Sequence, residues 1–241
     1  DEKYMDYKMM QKWQYDETKQ VGTDYTDIKN IEEYDSSMQE IRNFKKESKE
    51  IFDYINISSD QIIIEFGSGT GEFALEAAKR CSKVYAIDIS KSMIDFAKNK
   101  AKQRNIDNIK FHNAGFLTYE NVEKADAIIT QLALHHLPDF WKMVAIKRMA
   151  NMLKPEGKLF IRDVVYSFNT DNYIQFFDNW IEKIRLSIGE TSVKEYLLHV
   201  KEEYSTLSFV MEELINRSGF HIDEIYHHEG FMSVYKCRKI W

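Results

Sequence analysis

Three glycines at alternate positions follow a short apolar run. Gly67, Gly69 and Gly71 come directly after residues 61–66, which predict a buried strand. Glycine tolerates positive φ and lets a ligand approach the backbone closely. A helix that begins at this turn adds free N–H donors and a partial positive charge. The segment therefore predicts a ligand-binding turn between a strand and a helix.

The spacing of these glycines narrows the choice of ligand. A dinucleotide site has the pattern G-x-G-x-x-G, whereas this loop is G-x-G-x-G and has Glu72 at the dinucleotide's third glycine. A carboxylate at that position disfavours a pyrophosphate. The phosphate-loop pattern G-x-x-x-x-G-K-[ST] has no match in the chain.

An acidic residue ends the next predicted strand. Asp88 follows Gly71 by 17 residues, at the end of residues 83–88. A carboxylate in this position accepts hydrogen bonds from the two hydroxyls of a ribose. The alternative is that Asp88 only caps the following helix. Together, the loop and Asp88 favour a ligand with an adenosyl group and no phosphate.

Strands alternate with helices along most of the chain, which predicts a parallel sheet with right-handed crossovers. The last two strands are joined by too few residues for a crossover, so they must pair antiparallel. We predict an α/β fold: a doubly wound, mainly parallel seven-stranded sheet that ends in an antiparallel hairpin, with helices on both faces. The predicted strands span residues 61–66, 83–88, 109–113, 125–130, 158–165, 220–227 and 232–237.

The remaining segments divide the chain into two parts. Residues 1–35 are polar but rich in aromatic side chains, which fits either a mobile tail or a segment that folds over another part of the protein; we predict that they form a lid. Residues 36–241 form the main domain, with helical periodicity over 36–55 and a helical insertion at about 168–204, whose helical stretch runs from about 172 to 203.

These motifs resemble the class I S-adenosylmethionine-dependent methyltransferases, especially their small-molecule branch. Residues 64–71 resemble the family's first motif, 84–90 with Met93 its ribose-binding motif, 132–137 the sequence after strand four, and 153–159 the lead into strand five. The resemblance implies S-adenosylmethionine as cofactor. The residues it places at the cofactor are Glu65, Gly67, Ser68, Gly69, Gly71, Asp88, Ile89, Met93, Gly115, Phe116 and Gln131.

The chain departs from the family at one position. Members often carry an acidic residue after strand three that recognises the adenine amino group, whereas here residues 113–116 read NAGF. Gly115 supplies no carboxylate, so the adenine contact is expected to rest on backbone groups and Phe116.

Candidate catalytic residues lie after strands four and five. Ligands of open parallel sheets bind beyond the carboxyl ends of the strands, which is where His135 and Asp163 are expected. His135 is a candidate base or hydrogen-bond partner, and Asp163 either acts on substrate or ties down the following loop. His136 is expected to be structural. No metal site is predicted, since the chain lacks H-E-x-x-H and any cysteine cluster.

Aromatic residues outside the predicted sheet are candidates for a lid and an apolar substrate pocket. The alternative for those in the insertion is a helix that packs its apolar face. The candidates are Trp13, Tyr15, Tyr25, Phe168 and Tyr173.

Composition restricts the partners. The net charge is −6, which argues against nucleic acid, and no apolar run approaches the roughly 20 residues that span a bilayer. The two cysteines, Cys81 and Cys237, have no metal-ligand spacing, and with the polar start of the sequence they predict a cytoplasmic location. Oligomeric state is not predicted.

The expected function is methylation of a small molecule. The alternatives are a non-catalytic module that binds cofactor or a partner and a nicotinamide-dependent oxidoreductase, which the glycine spacing disfavours.

Overall fold

The computed structural model describes residues 12–19, 21–22 and 31–241. The helices in this part are α1 (Ile31–Ile41), α2 (Phe44–Ile55), α3 (Glu72–Ala78), α4 (Lys91–Gln103), α5 (Asp139–Met152), α6 (Tyr173–Ile188), α7 (Glu190–Glu202) and α8 (Ser208–Asn216). The strands are β1 (Ile62–Phe66), β2 (Lys83–Asp88), β3 (Ile109–Asn113), β4 (Ala125–Gln131), β5 (Leu153–Tyr166), β6 (Thr206–Leu207), β7 (Phe220–His228) and β8 (Met232–Lys239). Among the helices described, none combines the length and apolar character needed to cross a membrane.

Seven strands form one sheet in the order β3-β2-β1-β4-β5-β8-β7, and the two-residue β6 pairs with the end of β5. Strands β1 to β5 run parallel, whereas β8 runs antiparallel to both β5 and β7. This arrangement confirms the predicted fold class. The strand order changes direction between β1 and β4, and ligands of open α/β sheets bind at such a switch point.

The central strands are buried on both faces because alternate residues point to opposite helix layers. On β1, Ile64 belongs to the same core cluster as Met149 of α5. Its neighbour Ile63 packs on the other face with Ile51 of α2 and Phe73 of α3. Two apolar layers therefore hold β1, and with it the turn at its carboxyl end.

Two predicted helical stretches are each divided in the structure. The stretch 36–55 contains the end of α1 and all of α2, with a break at Asn43. Asn43 caps α2, since its side chain accepts a hydrogen bond from the Lys46 N–H at 3.0 Å. The stretch 172–203 contains α6 and α7, separated by Gly189 at φ 92°. Asn43 starts a new helix in the first stretch, and the positive φ of Gly189 ends a helix in the second. The apolar spacing along each stretch does not show these breaks.

The N-terminal segment, residues 12–19, packs on the body of the fold. Trp13 stacks on Trp141 with ring centroids 6.4 Å apart, and Tyr15 contacts both Trp141 and Tyr204. The predicted boundary between residues 35 and 36 lies within α1. The division into two parts stays a prediction.

Candidate active site

A cavity of about 1040 Å³ opens at the carboxyl ends of β1, β2, β4 and β5. The glycine loop, the loops after β2, β3 and β4, and residues of α1 and α7 form its walls. Small-molecule pockets are commonly about 300–1,000 Å³, so this cavity has room for a nucleoside-containing ligand and a second small molecule. The predicted cofactor residues that line it are Glu65, Gly67, Ser68, Gly69, Asp88, Ile89, Met93, Gly115, Phe116 and Gln131.

The three glycines of the loop have different surroundings. Their φ values are 69° at Gly67, 50° at Gly69 and 82° at Gly71. A Cβ at Gly67 would lie 2.4 Å from Cβ of Ala133, and one at Gly71 would lie 2.9 Å from Cβ of Ala97. A Cβ at Gly69 would meet no atom of the described residues within 4 Å. Gly67 and Gly71 therefore permit close packing, with Gly71 outside the cavity lining, whereas Gly69 exposes its backbone to the cavity.

Asp88 holds the glycine loop in place while lining the cavity. Its Oδ2 accepts a hydrogen bond from the Gly69 N–H at 2.7 Å, and its Oδ1 accepts one from the Ser90 N–H at 2.8 Å. Burial raises the pKa of Asp88, although the Ser90 and Gly69 donors act in the opposite direction. A carboxylate oxygen can accept two hydrogen bonds, and each oxygen of Asp88 has one such donor here. Both oxygens can therefore accept a further hydrogen bond from a ligand's hydroxyls.

Two buried polar atoms beside the loop have unused hydrogen-bonding capacity. Within the described part of the chain, Oε2 of Glu65 and Oγ of Ser68 have no partner, although both residues line the cavity. Glu65 is 4% exposed, and burial raises its pKa well above the ordinary value. Buried polar groups are nearly always hydrogen-bonded. These two atoms therefore fit a ligand that donates to them, such as an ammonium group.

A network of two arginines borders Gln131. Nη1 of Arg162 donates to Oε1 of Gln131 at 2.6 Å and to Oε2 of Glu47 at 3.1 Å. Nη2 of Arg42 donates to the same Glu47 oxygen at 2.5 Å. Burial lowers the pKa of Arg162, an effect that Glu47 and Glu50 oppose. Gln131 is therefore held in place by its neighbours, and Arg42 brings a second cation to the cavity wall.

His135 joins two carboxylates at the cavity wall. Its Nδ1 pairs with Oδ1 of Asp163, and its backbone N–H donates to Oδ2 of Asp163 at 3.1 Å. Its Nε2 lies 3.2 Å from Oε2 of Glu203, which also pairs with Nδ1 of His199. His135, Glu203 and His199 line the cavity, whereas Asp163 is 1% exposed and lies behind the His135 ring. The structure thus gives Asp163 contacts that orient His135.

These contacts set the charges of the cluster. Burial by itself lowers the pKa of His135, but Asp163 and Glu203 outweigh it and raise that pKa to about 9. Burial raises the pKa of Glu203, yet the hydrogen bonds from His135 and His199 outweigh it and bring the pKa far below its ordinary value. Burial and the charge of His135 lower the pKa of His136 to about 4. At neutral pH, His135 is therefore cationic, Glu203 anionic and His136 neutral.

Part of this cluster resembles the side-chain arrangement of a metal-binding site, which was not predicted from the sequence. His135, His136 and Glu203 each offer a ligand atom, and these atoms lie within 4.8 Å of one another. Metal binding requires a deprotonated imidazole nitrogen, and the raised pKa of His135 opposes its deprotonation. The ion pair between His135 and Glu203 accounts for the closeness of two of these three groups.

The predicted lid aromatics lie outside the cavity wall where they are described. Trp13 and Tyr15 pack on α5, Phe168 stacks on Phe176 with centroids 3.8 Å apart, and Tyr173 is 55% exposed. None of these four lines the cavity in the described structure. Tyr25 lies outside the described residues. The roles assigned to these residues stay predictions.

Other residues of the cavity wall were not identified from the sequence. They come from segments far from the glycine loop, and each belongs to an unremarkable helical or terminal stretch with no local motif. Asp16-Glu17 in a polar segment and the mixed-charge start of α2 gave no signal of a site. These residues include Glu17, Tyr34, Arg42, Glu47, Tyr196, His199 and Glu203.

Known proteins resemble this chain in sequence and in fold. A family model described as "Methyltransferase domain" matches residues 57–213. An uncharacterized methyltransferase of Bacillus cereus is 28% identical over 181 residues, which cover 72% of this chain and 79% of that protein.

Solved structures show the same fold at low sequence identity. An S-adenosylmethionine-dependent methyltransferase of Clostridium acetobutylicum has a TM-score of 0.65 at 13% identity, covering 86% of this chain and 96% of its own. The N-methyltransferase NodS of Bradyrhizobium japonicum, crystallised with S-adenosyl-L-homocysteine, has a TM-score of 0.58 at 15% identity. The match covers 82% of this chain and 88% of NodS. Because the family model matches more than half of the chain, the protein belongs to the methyltransferase domain family.

Proposed function

We propose that the protein transfers a methyl group from S-adenosylmethionine to a small molecule in the same cavity, by in-line displacement at the methyl carbon. Family membership supports the reaction class. The observation that carries the proposal is one continuous cavity that joins two sets of groups on opposite sides of β1. Asp88 and the glycine loop lie on one side, and His135 and Glu203 lie on the other.

The residues on the Asp88 side fit the cofactor. S-adenosylmethionine supplies a methyl group already activated by a positively charged sulfur. Asp88 would accept hydrogen bonds from the ribose hydroxyls, and the exposed backbone of Gly69 permits close approach. Oε2 of Glu65 would accept from the ammonium group of the methionine part, which satisfies a buried acceptor.

The residues on the other side fit an acceptor that donates a hydrogen bond. Methyl transfer depends mainly on alignment, and it needs a base only when the nucleophile must lose a proton. Glu203 stays ionised at neutral pH because His135 and His199 donate to it. We assign Glu203 to orienting the acceptor by accepting a hydrogen bond from it; the departing proton is released to solvent, because His135 already carries a proton and the lowered pKa of Glu203 makes it a weak base. Asp163 positions His135 through its hydrogen bonds to the ring and the backbone.

Charge and size favour a small, neutral or cationic acceptor. The cavity wall has more carboxylates than guanidinium groups, and Glu47 neutralises both Arg42 and Arg162 in part. An acidic wall also suits the positive charge of the cofactor sulfur. The net charge of −6 disfavours a polyanion such as nucleic acid.

Titration calorimetry tests the cofactor assignment. We expect S-adenosylmethionine and S-adenosylhomocysteine to bind, and NAD not to bind. Asp88→Ala should weaken the binding of S-adenosylmethionine and of S-adenosylhomocysteine by about 10-fold or more, because a hydrogen bond to a charged acceptor contributes about 1.5–3 kcal/mol. Asp107→Ala removes an exposed carboxylate and serves as the control. Binding of NAD alone would overturn the proposal.

Release of S-adenosylhomocysteine tests catalysis. The purified protein is incubated with S-adenosylmethionine and a panel of small amines, phenols and thiols. Release that depends on the added acceptor supports the proposal. Binding of cofactor without release from any acceptor favours the alternative, a module that binds cofactor or a partner without catalysis.

A further inference from the structure

A buried carboxylate of the N-terminal segment reaches the cavity. Glu17 is 7% exposed and lines the cavity. Both of its carboxylate oxygens lie 3.0 Å from the donating N–H of Leu117, and Oε1 also accepts from the Thr118 hydroxyl at 2.8 Å. Segment 12–19 is thereby fixed to the loop that follows β3.

The Glu17 carboxylate occupies the space that a side chain at Gly115 would fill. A Cβ built on Gly115 would lie 2.4 Å from Cδ and Oε2 of Glu17 and 2.7 Å from Oε1. The Gly115 N–H donates to Thr118 Oγ1 at 2.9 Å, so the loop backbone is held beside the carboxylate. The missing side chain at one position and the buried carboxylate from another are therefore complementary.

The sheet places this carboxylate next to the ribose-binding strand. Asp88 pairs with Asn113 at the ends of β2 and β3, and the Ala114 N–H donates to the Asp88 carbonyl at 3.1 Å. The cavity wall continues from Asp88 through the apolar side chains of Ile89 and Met93 to Gly115, Phe116 and Glu17. A base attached to a ribose at Asp88 would lie between these apolar groups, with Glu17 at its edge.

We propose that Glu17 accepts a hydrogen bond from the exocyclic amino group of adenine, so that the N-terminal segment completes the cofactor site and selects adenine. This rests on the proposed function, in which Asp88 binds the ribose. The Leu117 N–H and the N–H and hydroxyl of Thr118 donate to this carboxylate, which has about four acceptor positions and therefore has room for another donor. Burial raises the pKa of Glu17, and a donor from the ligand would favour the ionised form.

A comparison of S-adenosylhomocysteine with S-inosylhomocysteine tests the proposal by calorimetry. The inosine ligand presents a carbonyl oxygen where adenine has its amino group, so the wild-type protein should prefer the adenosine ligand. Glu17→Gln should reduce that preference by about 10-fold or more, because the glutamine amide can donate to the carbonyl oxygen. Asp16→Asn changes the neighbouring exposed carboxylate and should leave the preference unchanged.

A second variant keeps the test decisive if Glu17→Gln does not fold. In Glu17→Ala combined with Gly115→Asp, the carboxylate moves to the neighbouring position, and the preference for adenosine should return relative to Glu17→Ala alone. An unchanged preference in Glu17→Gln, or an equal loss of affinity for both ligands, would show that Glu17 only anchors the segment. Failure of the wild-type protein to bind either ligand would instead overturn the proposed function.

Discussion

Nε2 of His135 lies 3.2 Å from Oε2 of Glu203, which ties the loop after β4 to the end of α7. The Tyr204 N–H donates to the His135 carbonyl at 2.9 Å and strengthens the same connection. The helical insertion therefore contributes to the charge of a histidine at the cavity wall. This connection is the basis of the first three predictions.

The His135 side chain should titrate well above an ordinary histidine. Its pKa of about 9 depends on Asp163 and Glu203, so Glu203→Gln should lower it by removing one of the two charges. NMR titration of the imidazole resonances in the cofactor-free protein measures both values. Glu202→Gln changes an exposed neighbouring carboxylate and is the matched control. A wild-type midpoint near 6.5 would contradict the ion-pair assignment.

The same shift predicts how stability depends on pH. The pKa of His135 is 6.5 in an unperturbed chain and about 9 in the fold, so its stabilisation is complete below pH 6.5 and is lost as pH rises through about 9. The loss is at most about 3 kcal/mol. Denaturant unfolding at several pH values should show a smaller decline in His135→Asn than in the wild type. Equal declines in the wild type and in His135→Asn would show that deprotonation of His135 does not cause the loss of stability at high pH.

Glu203→Gln should impair turnover without removing cofactor binding. An uncharged amide accepts a hydrogen bond from the acceptor more weakly than the carboxylate does, and a misplacement of the reacting groups by about 1 Å can cost about 100-fold in rate. We expect kcat with a proton-bearing acceptor to fall by about that factor, while calorimetry with S-adenosylhomocysteine changes little. Glu202→Gln again serves as control. A variant with full kcat would remove Glu203 from the proposed mechanism.

Gly69 and Gly71 should respond differently to alanine. Gly71→Ala should cost about 2 kcal/mol or more in the free energy of unfolding, because its φ is 82° and the new Cβ would lie 2.9 Å from Ala97. Gly69→Ala should cost about 1 kcal/mol, because it has positive φ but open space.

Cofactor binding should show the opposite order for the two glycines. The methyl group at position 69 would project into the cavity. Gly69→Ala should therefore weaken the binding of S-adenosylhomocysteine more than Gly71→Ala does. Denaturant unfolding and calorimetry on both variants provide the two measurements. Equal effects on affinity would show that Gly69 does not face the cofactor.

The N-terminal aromatics should affect turnover through the segment they anchor. Trp13→Ala and Tyr15→Ala remove the ring contacts with Trp141, so segment 12–19 should be held less firmly. We expect a higher KM for S-adenosylmethionine and little change in the melting temperature of the protein. Phe209→Ala removes an exposed aromatic of α8, away from Trp141, and serves as control. Unchanged turnover in both segment variants would end the lid hypothesis.

Local patterns were enough to predict the sheet and the glycine loop that lines the cavity. The apolar runs of β1 and β4, the glycines between β1 and α3, and Asp88 at the end of β2 each lie within a few residues of the feature they predict. The hairpin of β7 and β8 followed from a connection too short for a crossover. These features were predictable because backbone geometry and burial at the ends of neighbouring elements determine them.

Tertiary structure alone decided which distant side chains complete the cavity. Glu17 meets Gly115, and Glu203 meets His135, only because the chain folds segment 12–19 and the end of α7 over the carboxyl edge of the sheet. A carboxylate in a polar segment has the same sequence signature whether it is solvated or buried against a site. The sequence therefore determined the fold and the cofactor class, whereas long-range packing decided the charge of His135 and the burial of Glu17 against Gly115.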